Sequence, residues 1–362
     1  MKITKNICCL LLAACFFLTS CQYLDEVDAV KSISKITDGV FFLEYEGDYG
    51  FDEYLAEGGA KDTAELSNFI TNQLYKGKWT AAEDKQMKPV KIGNMDFGCA
   101  SISVKSAENP DSMIFGRNYD WKDCKVMIIH SKPVNGYESI STCCLSHITN
   151  DDTWEPTGSL FNNMTALAAI YVPMDGMNEK GLYIADLIAG DREETAQERG
   201  NVSMTTTDAI RLVLDRAANV DEAVSLLENC DMHSVIGYAH HLAIADSQGK
   251  AVAVEWVNNV MYVSETNVLT NHYVTESPKK DDGTDPETEN SRTRFESLEK
   301  SLSDADCTMT ADKVGETMKS VSAGQYGSKA MTVWSAVFEP ANKKVSYYFR
   351  EDYNKKFVFE LQ

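Results

Sequence analysis

GNMDFGCASI, residues 93–102, together with FGRNYDW, residues 115–121, is the part of the chain that decides its fold. A thiol becomes a strong nucleophile when a base takes its proton, and a cysteine at a chain terminus carries that base as its own α-amine. That amine has a pKa of roughly 7.7–8.0, so it exchanges protons near neutral pH. Cleavage between Gly98 and Cys99 would create such a terminus, and glycine would let the backbone adopt a strained geometry for the cut. Alone, however, the dipeptide is more typical of a buried core thiol.

The first residues have the pattern of a removable export signal. A basic start is followed by an apolar stretch, Ile7–Leu18, that is too short to span a bilayer comfortably. Leu-Thr-Ser-Cys at residues 18–21 is similar to the lipobox of bacterial lipoproteins, in which the cysteine is lipidated and becomes the first mature residue. The sequence therefore predicts a signal peptide at residues 1–20 and an exported protein that Cys21 anchors by lipid to a bacterial membrane, in the periplasm or at the cell surface. An ordinary secretory signal is the alternative.

Charge narrows the classes of partner. The formal net charge of the 362-residue chain is −21 at pH 7. Such a surface repels nucleic acid and anionic lipid head groups, so neither is an expected partner of the folded part.

Cysteine spacing gives no sign of a metal site. Ten cysteines are present, and the six that follow the leader match no zinc pattern: Cys99, Cys124, Cys143, Cys144, Cys230 and Cys307. An extended backbone would point the side chains of the adjacent Cys143 and Cys144 to opposite faces. We expect neither a metal nor an organic cofactor. Export permits disulfides, which the sequence does not assign.

The chain divides at the Gly98-Cys99 bond. Residues 21–98 are predicted to form a mainly helical pro-segment, which becomes a small chain retained by packing after cleavage. Its clearest helix is Asp62–Tyr75, with Asp62 as a cap and apolar side chains at helical spacing. Residues 99–362 are predicted to form the catalytic domain.

Strands, a pair of helices and further strands follow Cys99. The helices are predicted at 207–218 and 221–227, the second capped by Asp221. Strands are predicted at 99–104, 112–116, 166–172, 181–186, 241–246, 251–256, 260–263, 267–273, 331–337 and 344–349, and a further helix from Ser291. This order suggests sheets sandwiched by helices.

Six segments in order carry a family resemblance: CASI at 99–102, GRNYDW at 116–121, GMNEKGL at 176–182, LTNH at 269–272, SRTRF at 291–295 and TVWS at 332–335. Together they resemble the choloylglycine hydrolase and acid ceramidase-like superfamily of N-terminal nucleophile hydrolases, which includes penicillin V acylase and N-acylethanolamine acid amidase. The resemblance implies an α+β fold, a four-layer αββα sandwich with two mainly antiparallel sheets. It also implies hydrolysis of a linear amide C–N bond.

The resemblance assigns roles to five residues. Cys99 would be the nucleophile and, through its freed amine, the base. Arg117 would stabilise the thiolate, and Asp120 would orient the amine. Asn271 would donate to the oxyanion, and Arg294 would support the nucleophile, with Arg292 as a close alternative.

Other residues carry weaker predictions. Asn178 and Glu179 match a frequent motif of the superfamily, and they support the active centre or form a structural turn. We interpret His240 and His241 as structural, because neighbours in a strand face opposite ways. His272 follows Asn271 and could line the pocket.

Two departures from the family pattern concern specificity. The long segment before Cys99 looks more like the acid ceramidase branch or the penicillin acyltransferases, which cut a precursor into two retained chains. In addition, Leu187-Ile188-Ala189 stands where bile salt hydrolases carry an asparagine, which weakens bile-salt specificity.

The function predicted from the sequence is therefore that of an amidase. Its substrate would be a small-molecule amide with an apolar acyl group and a small polar amine, of the N-acyl amine, bile-salt or N-acyl amino acid type. An acyltransferase of the penicillin acyltransferase type, which uses the same acyl-enzyme, is one alternative. A non-catalytic surface ligand-binding lipoprotein is the other. Whether the chain forms a homo-oligomer stays open.

Overall fold

The computed structural model describes residues 26–75, 98–149, 151, 153–189, 194–275, 286–327 and 330–362. Its helices are α1 (residues 26–32), α2 (Phe51–Ala56), α3 (Thr63–Tyr75), α4 (Leu160–Ala166), α5 (Thr206–Arg216), α6 (Val220–Glu228), α7 (Pro286–Asp304) and α8 (Ala311–Ser320). Its strands are β1 (Ser34–Thr37), β2 (Val40–Gly47), β3 (Gly98–Ser106), β4 (Met113–Trp121), β5 (Val126–Pro133), β6 (Ser139–Cys144), β7 (Asp175–Asn178), β8 (Tyr183–Ile188), β9 (Val202–Thr205), β10 (Cys230–His233), β11 (His240–Ala245), β12 (Ala251–Val257), β13 (Val260–Glu265), β14 (Val268–Leu269), β15 (Thr308–Met309), β16 (Met331–Glu339), β17 (Lys344–Phe349) and β18 (Phe357–Glu360).

Two large sheets organise these strands. The nine-stranded sheet has the order β1-β2-β5-β6-β7-β8-β11-β12-β13, and its neighbours are antiparallel except for the parallel pair β2 and β5. The seven-stranded sheet has the order β14-β3-β4-β16-β17-β18, with the short β15 also paired to β3. Strands β9 and β10 form a separate parallel pair.

Side chains that alternate along the strands build a core on each face of the sheets. In β12, Ala251 and Ala253 face the space between the sheets, whereas Val252 and Val254 pack on the other face, which helix α6 covers. Beyond the seven-stranded sheet, Ile102 of β3 packs with residues of α7 and α8. Helices therefore cover both outer faces, and the predicted αββα sandwich with two mainly antiparallel sheets is confirmed.

Several local predictions are also confirmed. Asp62 Oδ1 accepts hydrogen bonds from the backbone N–H groups of Ala64 and Glu65, so it caps α3. The helix pair at α5 and α6 is present. The cap of α6 is Asn219, however, and not Asp221, because Asn219 Oδ1 accepts from the N–H of Glu222 and Asp221 lies in the first turn.

Two predicted strands are wrong. Residues 166–172 are helical, since α4 ends at Ala166 and a short 3₁₀ helix covers Leu167–Tyr171. A short apolar run does not distinguish a buried strand from a buried helix. The strand predicted at 267–273 shortens to β14, which pairs with β3 in the other sheet and does not extend the β11–β13 meander.

The described part of the pro-segment, residues 26–75, contains strands as well as the expected helices. Besides α1, α2 and α3, it contributes β1 and β2 to the nine-stranded sheet, where β2 pairs with β5 over its whole length. Phe41, Leu43 and Tyr45 alternate along β2 into the core under α5. The hydroxyl of Tyr54 in α2 also donates to Asp208 of α5. Residues 26–75 therefore share a core with residues after Cys99. No helix in the described ranges is long and apolar enough to cross a membrane.

Candidate active site

Cys99 lies near the start of β3, and its side chain faces the space between the two sheets. The residue is only 6% exposed, and its thiol is free of disulfide bonding. Its backbone N–H donates to Asn271 Oδ1 at 2.7 Å, and its carbonyl oxygen accepts from Arg294 Nη1 at 2.7 Å. Side chains from two distant segments therefore fix the backbone of this cysteine on both sides.

The environment of the thiol favours its protonated form. Burial raises the pKa of the Cys99 thiol, the neighbouring Arg117 guanidinium lowers it, and the Asp120 carboxylate raises it again. Burial prevails, because the guanidinium does not compensate for the lost hydration of a thiolate. The thiol consequently keeps its proton at neutral pH and needs a base to become a nucleophile.

Arg117 is fully buried on β4, next to β3 in the sheet. Its Nη1 donates to the carbonyl of Asn118, its Nη2 donates to the carbonyl of Asp186, and its Nε lies 3.6 Å from Asp175 Oδ2. Asp175 also accepts from Trp334 Nε1 at 2.8 Å. Burial raises the pKa of the Asp175 carboxyl, whereas Arg117 lowers it. The sequence prediction missed Asp175, the buried carboxylate that pairs with this guanidinium.

Asp120 and Gly98 are direct partners in the register of β3 and β4. Thr332 donates to Asp120 Oδ1 at 2.6 Å, and Arg294 Nη1 lies 3.8 Å from Asp120 Oδ2. A Cβ atom on Gly98 would lie 2.6 Å from Asp120 Oδ2. Glycine therefore leaves room for the Asp120 carboxylate beside the Gly98-Cys99 bond.

Asn271 and Arg294 complete the surroundings of Cys99. Besides the Cys99 N–H, Asn271 Oδ1 accepts from Arg294 Nη2 at 2.8 Å, and Asn271 Nδ2 donates to the carbonyl of Ile188 at 2.7 Å. This network fixes the orientation of the amide, since its oxygen meets only donors. Arg294 is buried and Arg292 is exposed. The sequence offered Arg294 or Arg292 as the arginine that supports the nucleophile, and Arg294 is the one that lies beside Cys99.

Asn178 and Glu179 lie in the turn between β7 and β8. Asn178 Nδ2 donates to two carbonyls at the end of α5, and its Oδ1 accepts from the N–H groups of Lys180 and Leu182. These bonds build the turn, and none of them reaches Cys99. The geometry therefore favours the structural alternative for Asn178.

A narrow cavity of about 30 Å³ opens beside Cys99. Apolar side chains from both sheets and the connecting loops dominate its wall: Tyr119, Trp121, Met174, Ile188, Val235 and Ile236. Polar members of the wall include His147, Asp186 and His240. Loss of hydration lowers the pKa of His147 to about 4, so this imidazole stays neutral near pH 7.

His240 and His241 do face opposite ways, but only one of them has a structural role by its contacts. His241 bonds through both ring nitrogens, to Glu255 Oε1 at 2.9 Å and to the carbonyl of Thr270 at 2.7 Å. His240 lines the cavity, where its Nδ1 lies 2.8 Å from Asp186 Oδ1. The strand alternation was the available signal that one histidine of the pair would face the site. His272 contacts Ser291 through Nδ1 at 2.8 Å and is not part of the cavity wall.

Two of the remaining cysteines are joined in a disulfide, Cys124 with Cys144. Cys143 packs under the helices on the outer face of the nine-stranded sheet, and Cys144 packs between the sheets, so the expected opposite orientation is confirmed. Within the described ranges, no three His, Cys, Asp or Glu side chains are grouped so that they could hold a metal ion.

Residues 107–354 match the sequence model of the family described as acyl-coenzyme A:6-aminopenicillanic acid acyl-transferase. The matched range contains Arg117, Asp120, Asn271 and Arg294, and it begins after Cys99. No curated protein matches the chain in sequence.

Solved structures give an independent comparison. A mutant conjugated bile acid hydrolase from Clostridium perfringens superposes with a TM-score of 0.52 at 14% sequence identity, over 73% of this chain and 92% of that one. At this identity the likeness shows a shared fold. Penicillin V acylase from Agrobacterium tumefaciens gives a TM-score of 0.47 at 16% identity, over 73% of this chain and 86% of that one.

Proposed function

The chain belongs to the acyl-coenzyme A:6-aminopenicillanic acid acyl-transferase family within the choloylglycine hydrolase-like superfamily, and we propose that it is an N-terminal nucleophile amidase with Cys99 as its nucleophile. The observation that carries the proposal is the pair of bonds around Cys99. Asn271 accepts from its nitrogen and Arg294 donates to its carbonyl, while Arg117 lies beside its thiol. Asn271 thus holds the nitrogen that a cut at Gly98-Cys99 would release as the α-amine.

Self-cleavage would come first. The Cys99 sulfur attacks the carbonyl carbon of Gly98, the C–N bond breaks, and the released nitrogen takes a proton to become the α-amine. Water then hydrolyses the thioester between Gly98 and Cys99. Asp120, close to the Gly98 backbone and bonded to Thr332, is placed to stabilise the new ammonium.

Amide cleavage would use the same groups. Asn271 Oδ1 holds the α-amine, which takes the thiol proton as the sulfur attacks a linear amide carbonyl. The Arg117 guanidinium lowers the energy of the thiolate. One N–H of the Asn271 amide donates to Ile188, so the oxyanion role of Asn271 falls to the other N–H. The α-ammonium protonates the leaving amine, and water clears the acyl-enzyme. No metal or organic cofactor enters this scheme.

The cavity wall supports an apolar acyl group. Trp121, Met174 and Ile236 offer apolar contacts beside Cys99. Ile188, also in the wall, belongs to the stretch Leu187-Ile188-Ala189 that stands where bile salt hydrolases carry an asparagine. We propose N-acyl amines or N-acyl amino acids ahead of bile salts as substrates.

Acyl transfer is the second candidate function, and the family match favours it. Both reactions form the same thioester on Cys99. They differ in whether water or an amine attacks it.

A single experiment tests the proposed function and distinguishes hydrolysis from acyl transfer. Purified, self-cleaved protein is mixed with N-octanoyl p-nitroanilide, with and without 6-aminopenicillanic acid. We expect nitroaniline release and an octanoyl adduct on Cys99 by mass spectrometry. Octanoic acid as the product in both mixtures indicates an amidase, whereas octanoylated 6-aminopenicillanic acid indicates a transferase. A cleaved protein that takes no acyl group from any amide of a chain-length series would contradict the proposal.

We also propose that the protein is exported and anchored through a lipid on Cys21. The proposal rests on the sequence of residues 1–21, which lies outside the described residues. A Cys21→Ala variant should move from the detergent-extracted membrane fraction to the soluble exported fraction on cell fractionation. A wild-type protein that is found in the soluble fraction would contradict it.

A further inference from the structure

The cavity beside Cys99 contains an acid–base pair that the scheme above does not use. His240 is 5% exposed and Asp186 is 6% exposed, and the two lie on the neighbouring strands β11 and β8. His240 Nδ1 is 2.8 Å from Asp186 Oδ1. Both residues come from the nine-stranded sheet, whereas Cys99 comes from the seven-stranded sheet that faces it. The cavity therefore has a nucleophile on one sheet and a carboxylate-bound imidazole on the other.

The carboxylate decides which ring nitrogen carries the proton. An ionised carboxylate only accepts hydrogen bonds, so the neutral imidazole keeps its proton on Nδ1 and leaves a lone pair on Nε2. This is the arrangement in which a third group orients a catalytic base.

Nε2 of His240 is buried and has no hydrogen-bond partner among the described residues. A buried polar atom without a hydrogen bond is unfavourable, so an unpaired nitrogen in a folded protein calls for an explanation. The other histidine of the cavity is different in this respect, since His147 Nε2 lies 3.2 Å from the Tyr119 hydroxyl. His240 consequently has a ring nitrogen whose lone pair no described residue uses.

Resting on the proposed function, we propose that His240, oriented by Asp186, is a second general base that acts on the nucleophile that clears the acyl-enzyme. The nitrogen of Cys99, which becomes the α-amine, bonds to Asn271, and the amine serves the acylation step. A separate base lets the enzyme activate water or an incoming amine while the α-amine remains bonded to Asn271.

The step balances without any further reactant. An O–H of water, or an N–H of the acceptor amine, gives its proton to His240 Nε2 as its oxygen or nitrogen bonds to the thioester carbon. When the tetrahedral intermediate collapses, the C–S bond breaks, and the imidazolium returns the proton to the Cys99 sulfur. The products are the free acid or the new amide and the original thiol.

His240→Asn tests the proposal, because the asparagine amide can still donate to Asp186 where Nδ1 did, but nothing replaces Nε2. The probe is p-nitrophenyl octanoate, whose good leaving group makes acylation fast. We expect the nitrophenol burst to stay within about twofold of wild type and the steady-state rate to fall by about 10²-fold. The octanoyl adduct on Cys99 should accumulate in the mass spectrum. Imidazole added to His240→Gly should restore turnover, which a purely structural role would not allow.

Three controls keep the test decisive. Self-cleavage of each variant reports that the chain folded and that Cys99 is intact. His130→Gln is the matched variant, since His130 is also 5% exposed and bonded to a carboxylate, Glu138, but does not line the cavity. If His240→Asn fails to fold, Asp186→Asn serves in its place, with an expected loss in steady-state rate of at least about tenfold.

The outcomes separate the two proposals. A steady-state rate of His240→Asn close to that of His130→Gln overturns the role of His240 alone, as does an equal loss in the burst and the steady state. A wild-type protein that cleaves itself but never carries the acyl group overturns the proposed function, and this inference with it.

Discussion

Replacing Cys99 with alanine should leave the chain uncut at Gly98 and remove its amide turnover. The α-amine that takes the thiol proton does not exist before the cut, and the thiol that makes the cut is gone in the variant. Intact-mass measurement should show two fragments for wild type, the larger beginning at Cys99, and one chain for the variant. We expect the loss of turnover to be at least about 10⁴-fold, as for other removed nucleophiles.

The matched control for Cys99→Ala is Cys307→Ala, which removes a free thiol that is exposed and outside the cavity. It should cut itself and turn over amides as wild type does. A Cys99→Ala chain that is still cut at Gly98, or a wild-type chain that stays whole and yet turns over amides, would contradict the mechanism.

Arg117→Met should damage both stability and catalysis, for two different reasons. The guanidinium is fully buried near Asp175, and removal of one partner leaves the other charge buried without compensation. Breaking such a pair typically lowers the free energy of unfolding by about 3–5 kcal/mol. The thiol also loses the positive charge that lowers its pKa, so less thiolate forms in the transition state. We expect kcat/KM to fall by about 10²–10³-fold, the loss seen when one preorganised charge-stabilising donor is removed.

A second substitution separates these two effects. Adding Asp175→Asn removes the uncompensated carboxylate, while the new amide oxygen can still accept from Trp334 Nε1. Urea unfolding on a Cys99→Ala background, where the chain stays in one piece, should show that the double variant regains most of the lost stability. Its counterpart with Cys99 intact should remain as slow as Arg117→Met. Recovery of turnover together with stability would show that Arg117 acts only as a structural charge.

The layers of the fold were predictable because their pattern is local. Helix α3 has apolar residues at helical spacing behind a capping Asp62, and β11 and β12 form a hairpin around a short turn. Strand β2 was missed, although Val40–Leu43 is apolar and Asp38-Gly39 forms a two-residue turn between β1 and β2. Its other partner, β5, lies far along the chain and parallel to it, and a pair of that kind leaves no turn signal in the sequence.

The residues of the site also fall into those that a local sequence pattern indicates and those that it does not. Cys99, Arg117, Asn271 and Arg294 could be proposed because ordered motifs surround them, and the structure brings them together around one thiol. Asp175 could not, since its role depends on what faces it across the gap between the sheets. For His240 and His241, strand alternation indicated that one of the two would face the site, but not which one. Asp175 is one buried carboxylate among several until Arg117 is placed beside it.

The parallel pairing of β2 with β5 has a consequence for the protein if the proposed cut occurs. In the uncut chain, β1 and β2 are tethered to the rest of the nine-stranded sheet, and the tether gives the two parts a high effective concentration for each other. After a cut at Gly98, the same contacts would join two molecules, and their association would obey mass action. The uncut chain would fold independently of its concentration, whereas the cut protein would depend on contacts such as β2 with β5, the shared core and the hydroxyl of Tyr54 to keep its two chains together. Dilution would then dissociate the cut protein but not the uncut chain.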